Sequence, residues 1–238
     1  MKQGIFIVFE GLDGSGLTTH AVLLQKWLKD KGFEKVHLTK EPTEGPIGLL
    51  IRQILKELVY IPKDPIILTL LFAADRIYHL YYEPYGPIDR MRIGQIGLRK
   101  ALSEGYIVIS DRYVYSSYAF QTVSVGDISV DLKWVQEVNR YIIKPDLVIF
   151  LDVPPEVCLS RIAIERWRYQ LFENYPDLKS VYERFKKILL MLKNEGERIV
   201  LIPQIKENGN IRQVDEVQND IRSEVQKLLE ERGVKENG

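Results

Sequence analysis

The chain has 238 residues, of which 45% are hydrophobic and 28% charged, the composition of a folded globular domain. Its 33 basic and 33 acidic side chains balance, so nothing supports a non-specific nucleic-acid binder or a partner of anionic membranes, and any anion site must be local. Cys158 is the only cysteine, which excludes an intrachain disulfide and a cysteine-based zinc site. No apolar run is long enough to span a membrane and residues 1–5 lack a signal-peptide pattern, so the expected compartment is the cytoplasm.

Taken in chain order, residues 5–9 are a continuous apolar run, the mark of a strand buried on both faces. Residues 18–29 carry apolar side chains at 21, 24, 27 and 28, a helical spacing. A short strand is expected at 36–38. Asp64-Pro65 reads as an N-cap followed by proline at the first helical position, opening a helix to about residue 82. Further strands are expected at 106–109, 147–151 and 199–202, and helices at 131–142, 155–169, 179–192 and 214–231. Strand and helix alternate, which predicts a single α/β domain with a doubly wound, parallel five-stranded sheet flanked by helices. Ligands in such sheets gather at the carboxyl ends of the strands.

Between the first strand and the first helix stands Glu10-Gly11-Leu12-Asp13-Gly14-Ser15-Gly16-Leu17-Thr18-Thr19. The P-loop pattern is Gly, four residues, Gly, Lys, then Ser or Thr. Gly11, Gly16 and Thr18 fit; Leu17 occupies the lysine position. Backbone N–H groups of such a loop, with the positive end of the following helix, can close around phosphates. The loop 11–19 is therefore the expected ATP site, with Thr18 able to hold Mg²⁺.

The stretch from Phe6 to Gly16 resembles the opening of thymidylate kinases, a family of P-loop nucleoside-monophosphate kinases. Thr39-Lys40-Glu41-Pro42 is similar to that family's Thr-Arg-Glu-Pro segment, and Leu71-Phe72-Ala73-Ala74-Asp75-Arg76 to its Leu-Phe-Ala-Ala-Asp-Arg helix. Asp111-Arg112-Tyr113 with Ser116-Ser117 and Phe120-Gln121 resembles the Asp-Arg-Tyr-x-x-Ser-Ser motif. Leu151-Asp152-Val153-Pro154 resembles the strand before the lid, and Phe172-Glu173 the pair that closes it.

The resemblance implies transfer of the ATP γ-phosphate to dTMP, a helical lid at about 160–175, small-molecule nucleotide partners and a homodimer. It implies that Phe72 stacks on the thymine ring, Arg76 meets its carbonyl edge and Arg112 clamps the acceptor phosphate. Asp111 would bind Mg²⁺, a role that Asp152 could fill instead. Asp13 would meet the sugar 3′-hydroxyl or shape the loop. Glu41, Pro42, Ser116, Ser117, Phe120, Gln121, Phe172 and Glu173 would line the nucleoside pocket. Arg166 matches the catalytic lid arginine, and it, Lys40 and Arg168 are the cations that could stand in for the lysine missing at Leu17. A nucleotide-binding homologue with weak or no turnover, or a kinase for another nucleotide or a deoxynucleoside, stays open at this point. The separation of Arg76 from Asp111 exceeds the family's and implies an insertion at about 80–92.

Overall fold

The computed structural model describes residues 4–60, 65–81, 96–122, 124–125, 128–163 and 178–234. The elements are β1 (Ile5–Gly11), α1 (Leu17–Asp30), β2 (Val36–Lys40), α2 (Pro46–Leu55), α3 (Pro65–Tyr81), α4 (Leu98–Ser103), β3 (Ile107–Asp111) and α5 (Val114–Phe120). They continue as β4 (Ser124–Val125), β5 (Ile128–Ser129), α6 (Leu132–Val138), β6 (Leu147–Asp152), α7 (Pro155–Ala163), α8 (Leu178–Asn194), β7 (Ile199–Pro203) and α9 (Val214–Glu231).

Five strands form a parallel sheet, as the apolar runs predict, and they pair in the order β2-β3-β1-β6-β7. Every residue of β1 is buried, because β1 lies in the middle of the sheet with helices over both faces. The register sets Phe9 beside Asp111 and Gly11 beside Leu151, and Lys40 beside Asp111. The phosphate loop, Lys40, Asp111 and Asp152 thus emerge together at the carboxyl edge. A single core runs through the sheet into α1, α5, α8 and α9. No helix among the described residues is long and apolar enough to cross a membrane.

The fold departs from the sequence expectation in several places. The helix expected at 131–142 ends at Val138. Asn139 caps it, donating from Nδ2 to the Val135 carbonyl at 2.8 Å, and turns its Oδ1 toward Arg76. Helices α2, α4 and α5 and the β4–β5 hairpin were not expected. The α2 segment PIGLLIRQIL is only ten residues long, apolar at most positions and carries a glycine; α5 contains Val, Tyr and Phe, which favour strands. Residues 82–92 of the expected insertion, the lid beyond Ala163 and Asp64 lie outside the described residues.

Helix α2 opens on Gly45-Pro46 and packs Gly48 against the preceding loop. A methyl group at Gly48 would collide with the Thr43 carbonyl and stand 2.6 Å from Thr43 N. Both are backbone atoms, so the loop itself would have to move. Gly48→Ala is expected to destabilise the protein by about 1–3 kcal/mol through overpacking. A denaturant midpoint equal to that of the native chain would contradict this packing.

Candidate active site

The phosphate loop is shaped from outside as well as by its own glycines. Gly14 has φ 80°, and a Cβ there would lie 2.7 Å from the Cys158 carbonyl, so only glycine lets α7 approach. Arg161 on α7 donates from Nη1 to the Gly14 carbonyl at 3.1 Å and to Gln204 Oε1 at 3.3 Å. Gln204 Nε2 donates to the Ser15 carbonyl at 2.9 Å. The carbonyls of Gly14 and Ser15 are thus held from behind, and the Ser15 N–H closes the loop on the Leu12 carbonyl at 3.1 Å. Leu12 is buried, and so is Ser15, whose hydroxyl has no hydrogen-bond partner among the described residues; Thr18 and Thr19 are exposed on the first turn of α1. Leu17 is only 6% exposed and belongs to the core, so its side chain is a packing group.

Arg112 follows directly on β3 with φ 70°, a left-handed conformation unusual for a residue with a side chain. Its backbone N–H donates to the Phe9 carbonyl, and the Arg112 carbonyl accepts from Ser110 Oγ at 2.7 Å. The guanidinium then spans the cleft. Nη1 donates to the Gly11 carbonyl and to Ser116 Oγ, and Nη2 to Asp13 Oδ1, each at 2.9 Å. Phe120 lies beneath it, 5.7 Å from the guanidinium carbon to the ring centroid. Burial alone would lower the Arg112 pKa, but Asp13, Glu10 and Asp111 together raise it above its ordinary value. Arg112 is therefore a fixed cation at the mouth of the loop.

Glu10 holds this unit together and was not singled out from the sequence. It is fully buried. Oε1 accepts from Tyr113 N at 2.9 Å and Ser116 N at 3.1 Å, and Oε2 from Ser116 Oγ at 2.6 Å. One carboxylate thus ties the strand entering the phosphate loop to the start of α5. Burial raises its pKa to about 7, against the opposing pull of Arg112 and of these three donors.

Arg76 lies on α3 and is 1% exposed. Nε donates to Glu41 Oε2 at 2.8 Å, Nη1 to Asn139 Oδ1 at 2.5 Å and Nη2 to Ser117 Oγ at 3.0 Å. The partner that a buried guanidinium demands is thus Glu41, itself buried. The loop after β2 is pinned further by α3: Asp75 accepts from Thr43 N at 2.7 Å and Thr43 Oγ1 at 2.6 Å. The peptide bond before Pro42 is cis. Phe72 and Pro42 are half-buried, and Gln121 is buried, its Oε1 without a hydrogen-bond partner among the described residues.

Thr18 Oγ1 donates to Asp111 Oδ2 at 2.5 Å, so the two expected Mg²⁺ ligands face each other. They open on a cavity of about 330 Å³ shared with His37, Thr39, Lys40 and His79. Lys40 pairs with Glu44 at 2.5 Å and is half-exposed. Asp152 is engaged elsewhere, accepting from Tyr182 Oη at 2.5 Å and from Lys186 Nζ at 3.0 Å. The structure therefore gathers loop 11–19, Asp111, Arg112 and Ser116 on one side, and Glu41, Arg76 and Ser117 on the other. Arg166, Arg168, Phe172 and Glu173 lie outside the described residues.

A family model for thymidylate kinase matches residues 9–215. The chain is 46% identical to a probable thymidylate kinase of Pyrococcus horikoshii over 165 residues, 68% of this chain and 71% of that protein. It is 34% identical over 236 residues to a probable thymidylate kinase of Thermococcus kodakarensis, covering 95% of this chain and 100% of the relative. The crystal structure of thymidylate kinase from Ehrlichia chaffeensis superposes with a TM-score of 0.64 at 25% identity, over 94% of this chain and 99% of that one.

Glu10 has a testable signature. Its pKa of about 7 in the fold exceeds the ordinary 4.5, so the folded chain holds the proton more tightly than the unfolded chain. Its contribution to stability is full below about pH 4.5 and is lost as pH rises through about 7. His20 and His37, lowered by burial to about 4, act in the opposite sense as pH falls from 6.5. Native and Glu10→Gln chains are therefore to be compared across pH 4–8 by denaturant unfolding. The native chain should lose about 3 kcal/mol relative to the variant over that range. Parallel curves would contradict the assignment.

Proposed function

The chain belongs to the thymidylate kinase family, and we propose that it transfers the γ-phosphate of ATP to dTMP, giving ADP and dTDP. The observation that carries this reading is Arg112, a guanidinium anchored to Gly11, Asp13 and Ser116 at the mouth of a glycine-rich loop. The donor triphosphate would lie along the N–H groups of residues 11–16 and the start of α1. The acceptor phosphate would take Arg112 over from Asp13, for which a planar, bidentate donor is suited. Asp13, released, would meet the sugar 3′-hydroxyl. Phe72 would stack on thymine. Arginine carries five N–H donors, and Arg76 places three on protein groups, which leaves N–H for a thymine carbonyl. The pocket would be completed by Glu41, Pro42, Ser117, Phe120, Gln121, Phe172 and Glu173.

The acceptor is already an anion, so the chemistry requires no strong base; it requires two polyanions to be held in line. Thr18 and Asp111 offer the hard oxygen donors that Mg²⁺ takes, and they meet at one point of the site. The ion, when bound, neutralises phosphate charge. Position 17 contributes packing only, so the loop amides, Arg112 and Arg166 carry the remaining positive charge. We place the enzyme in the cytoplasm, where a free, buried Cys158 is at ease. We also propose a homodimer: Ile66, Leu70, Ala74 and Tyr81 form an exposed stripe along α3, which a second copy would cover.

A coupled assay with ATP, Mg²⁺ and a panel of nucleoside monophosphates tests the reading. ADP release with dTMP above all others is expected; nucleotide binding without product would contradict it. Arg112→Ala should lower kcat/KM for dTMP by about 100-fold or more, since one preorganised charge is lost. Unchanged steady-state kinetics would remove Arg112 from the site.

A further inference from the structure

The buried pair Arg76–Glu41 does not stand alone. Glu41 Oε2 receives Arg76, and Oε1 lies 3.0 Å from His79 Nδ1. His79 Nε2 in turn lies 2.8 Å from Thr39 Oγ1. The hydroxyl of Thr39 can donate to Nε2, which leaves the proton on Nδ1 and makes it the donor to Glu41. His79, Glu41, Arg76, Asn139 and Ser117 are all buried, which shields these bonds from bulk water. The Tyr113 ring lies 5.4 Å from the guanidinium carbon and limits its tilt.

Without His79, Glu41 Oε1 would be a buried acceptor with no partner among the described residues. The carboxylate would then rotate or shift to find one, and Arg76 Nε would follow it. His79 sits one turn beyond Arg76 on α3, so the same helix supplies both the arginine and the group that steadies its counter-ion. His79 itself touches the cavity near Thr39 and Lys40.

We propose that His79 is a positioning residue for acceptor recognition, fixing Glu41 so that Arg76 presents a set edge to the pyrimidine. The inference rests on the reading that Arg76 meets the base. It separates the two nitrogens of the imidazole by role: Nδ1 acts on Glu41, and Nε2 only orients the ring.

That separation is testable with side chains of matched reach. The amide nitrogen of asparagine falls near the Nδ1 position, whereas that of glutamine falls near Nε2. His79→Asn should keep KM for dTMP within about threefold of native, and His79→Gln should raise it about tenfold, the scale of one buried hydrogen bond. In both, kcat and KM for ATP should stay within about twofold, because the donor side is untouched. Thr39→Val, which keeps the imidazole and removes only its orienting hydroxyl, should raise KM for dTMP in the same direction by less. It also serves if His79→Gln does not fold. The proposal is overturned if Asn and Gln behave alike, if Thr39→Val leaves KM for dTMP at the native value, or if KM for ATP rises as much as KM for dTMP. Arg76→Lys separates the two layers. A native KM for dTMP in that variant removes Arg76 from the base. A raised KM there, with a native KM in His79→Gln, removes His79 alone.

Discussion

The Glu10 carboxylate joins the central strand to the first turn of α5, and the site depends on that junction. β1 runs straight into the phosphate loop, and β3 runs into Arg112. Two adjacent strands can place these groups side by side, but only within the freedom of the loops that follow them. Glu10 removes that freedom by accepting from Tyr113 N, Ser116 N and Ser116 Oγ. Arg112 then has one way to lie, across Gly11, Ser116 and Asp13. A buried carboxylate is costly, and three donors with a nearby guanidinium are what make it tolerable. Preorganisation of this kind matters most in phosphoryl transfer, where positioning and charge supply nearly all of the catalysis.

The same logic bears on the loop's departure from pattern. A lysine at the P-loop position brings a point charge to the phosphates; here Leu17 turns into the core beside Leu24 and Ala21. The loop is instead braced from outside by Arg161 and Gln204 on its carbonyls and from within by the Ser15 N–H on the Leu12 carbonyl, which fixes its backbone dipoles. Backbone dipoles cost nothing to reorganise during reaction, so a rigid loop can carry part of what a side-chain cation carries elsewhere.

The sheet was legible in the sequence because central parallel strands must be apolar throughout, and 5–9, 106–109 and 147–151 are so. Site residues on the strand ends were legible for the same reason: once the strands are placed, Asp111 and Arg112 can only be at the carboxyl edge. What escaped was the set of partners. Glu41 was expected as a pocket residue, yet in the fold it is the buried counter-ion of Arg76, 35 residues away in the chain. Asn139, 63 residues from Arg76, was expected inside a helix and instead caps its end to reach the guanidinium. Such pairings follow from tertiary packing, which local periodicity does not encode. The short helices α2, α4 and α5 escaped because ten, six and seven residues show too few turns for a periodic pattern to stand out.

On the proposed reading this phosphate loop works through its backbone and Arg112, with position 17 given over to packing. Leu17→Lys tests it most directly, with kcat for ATP and dTMP and the thermal midpoint measured on the same preparation. A lower midpoint is expected, because a lysine would have to leave the core, together with a kcat within about threefold of native. A rise in kcat of about tenfold or more, the scale of one restored electrostatic donor, would contradict it.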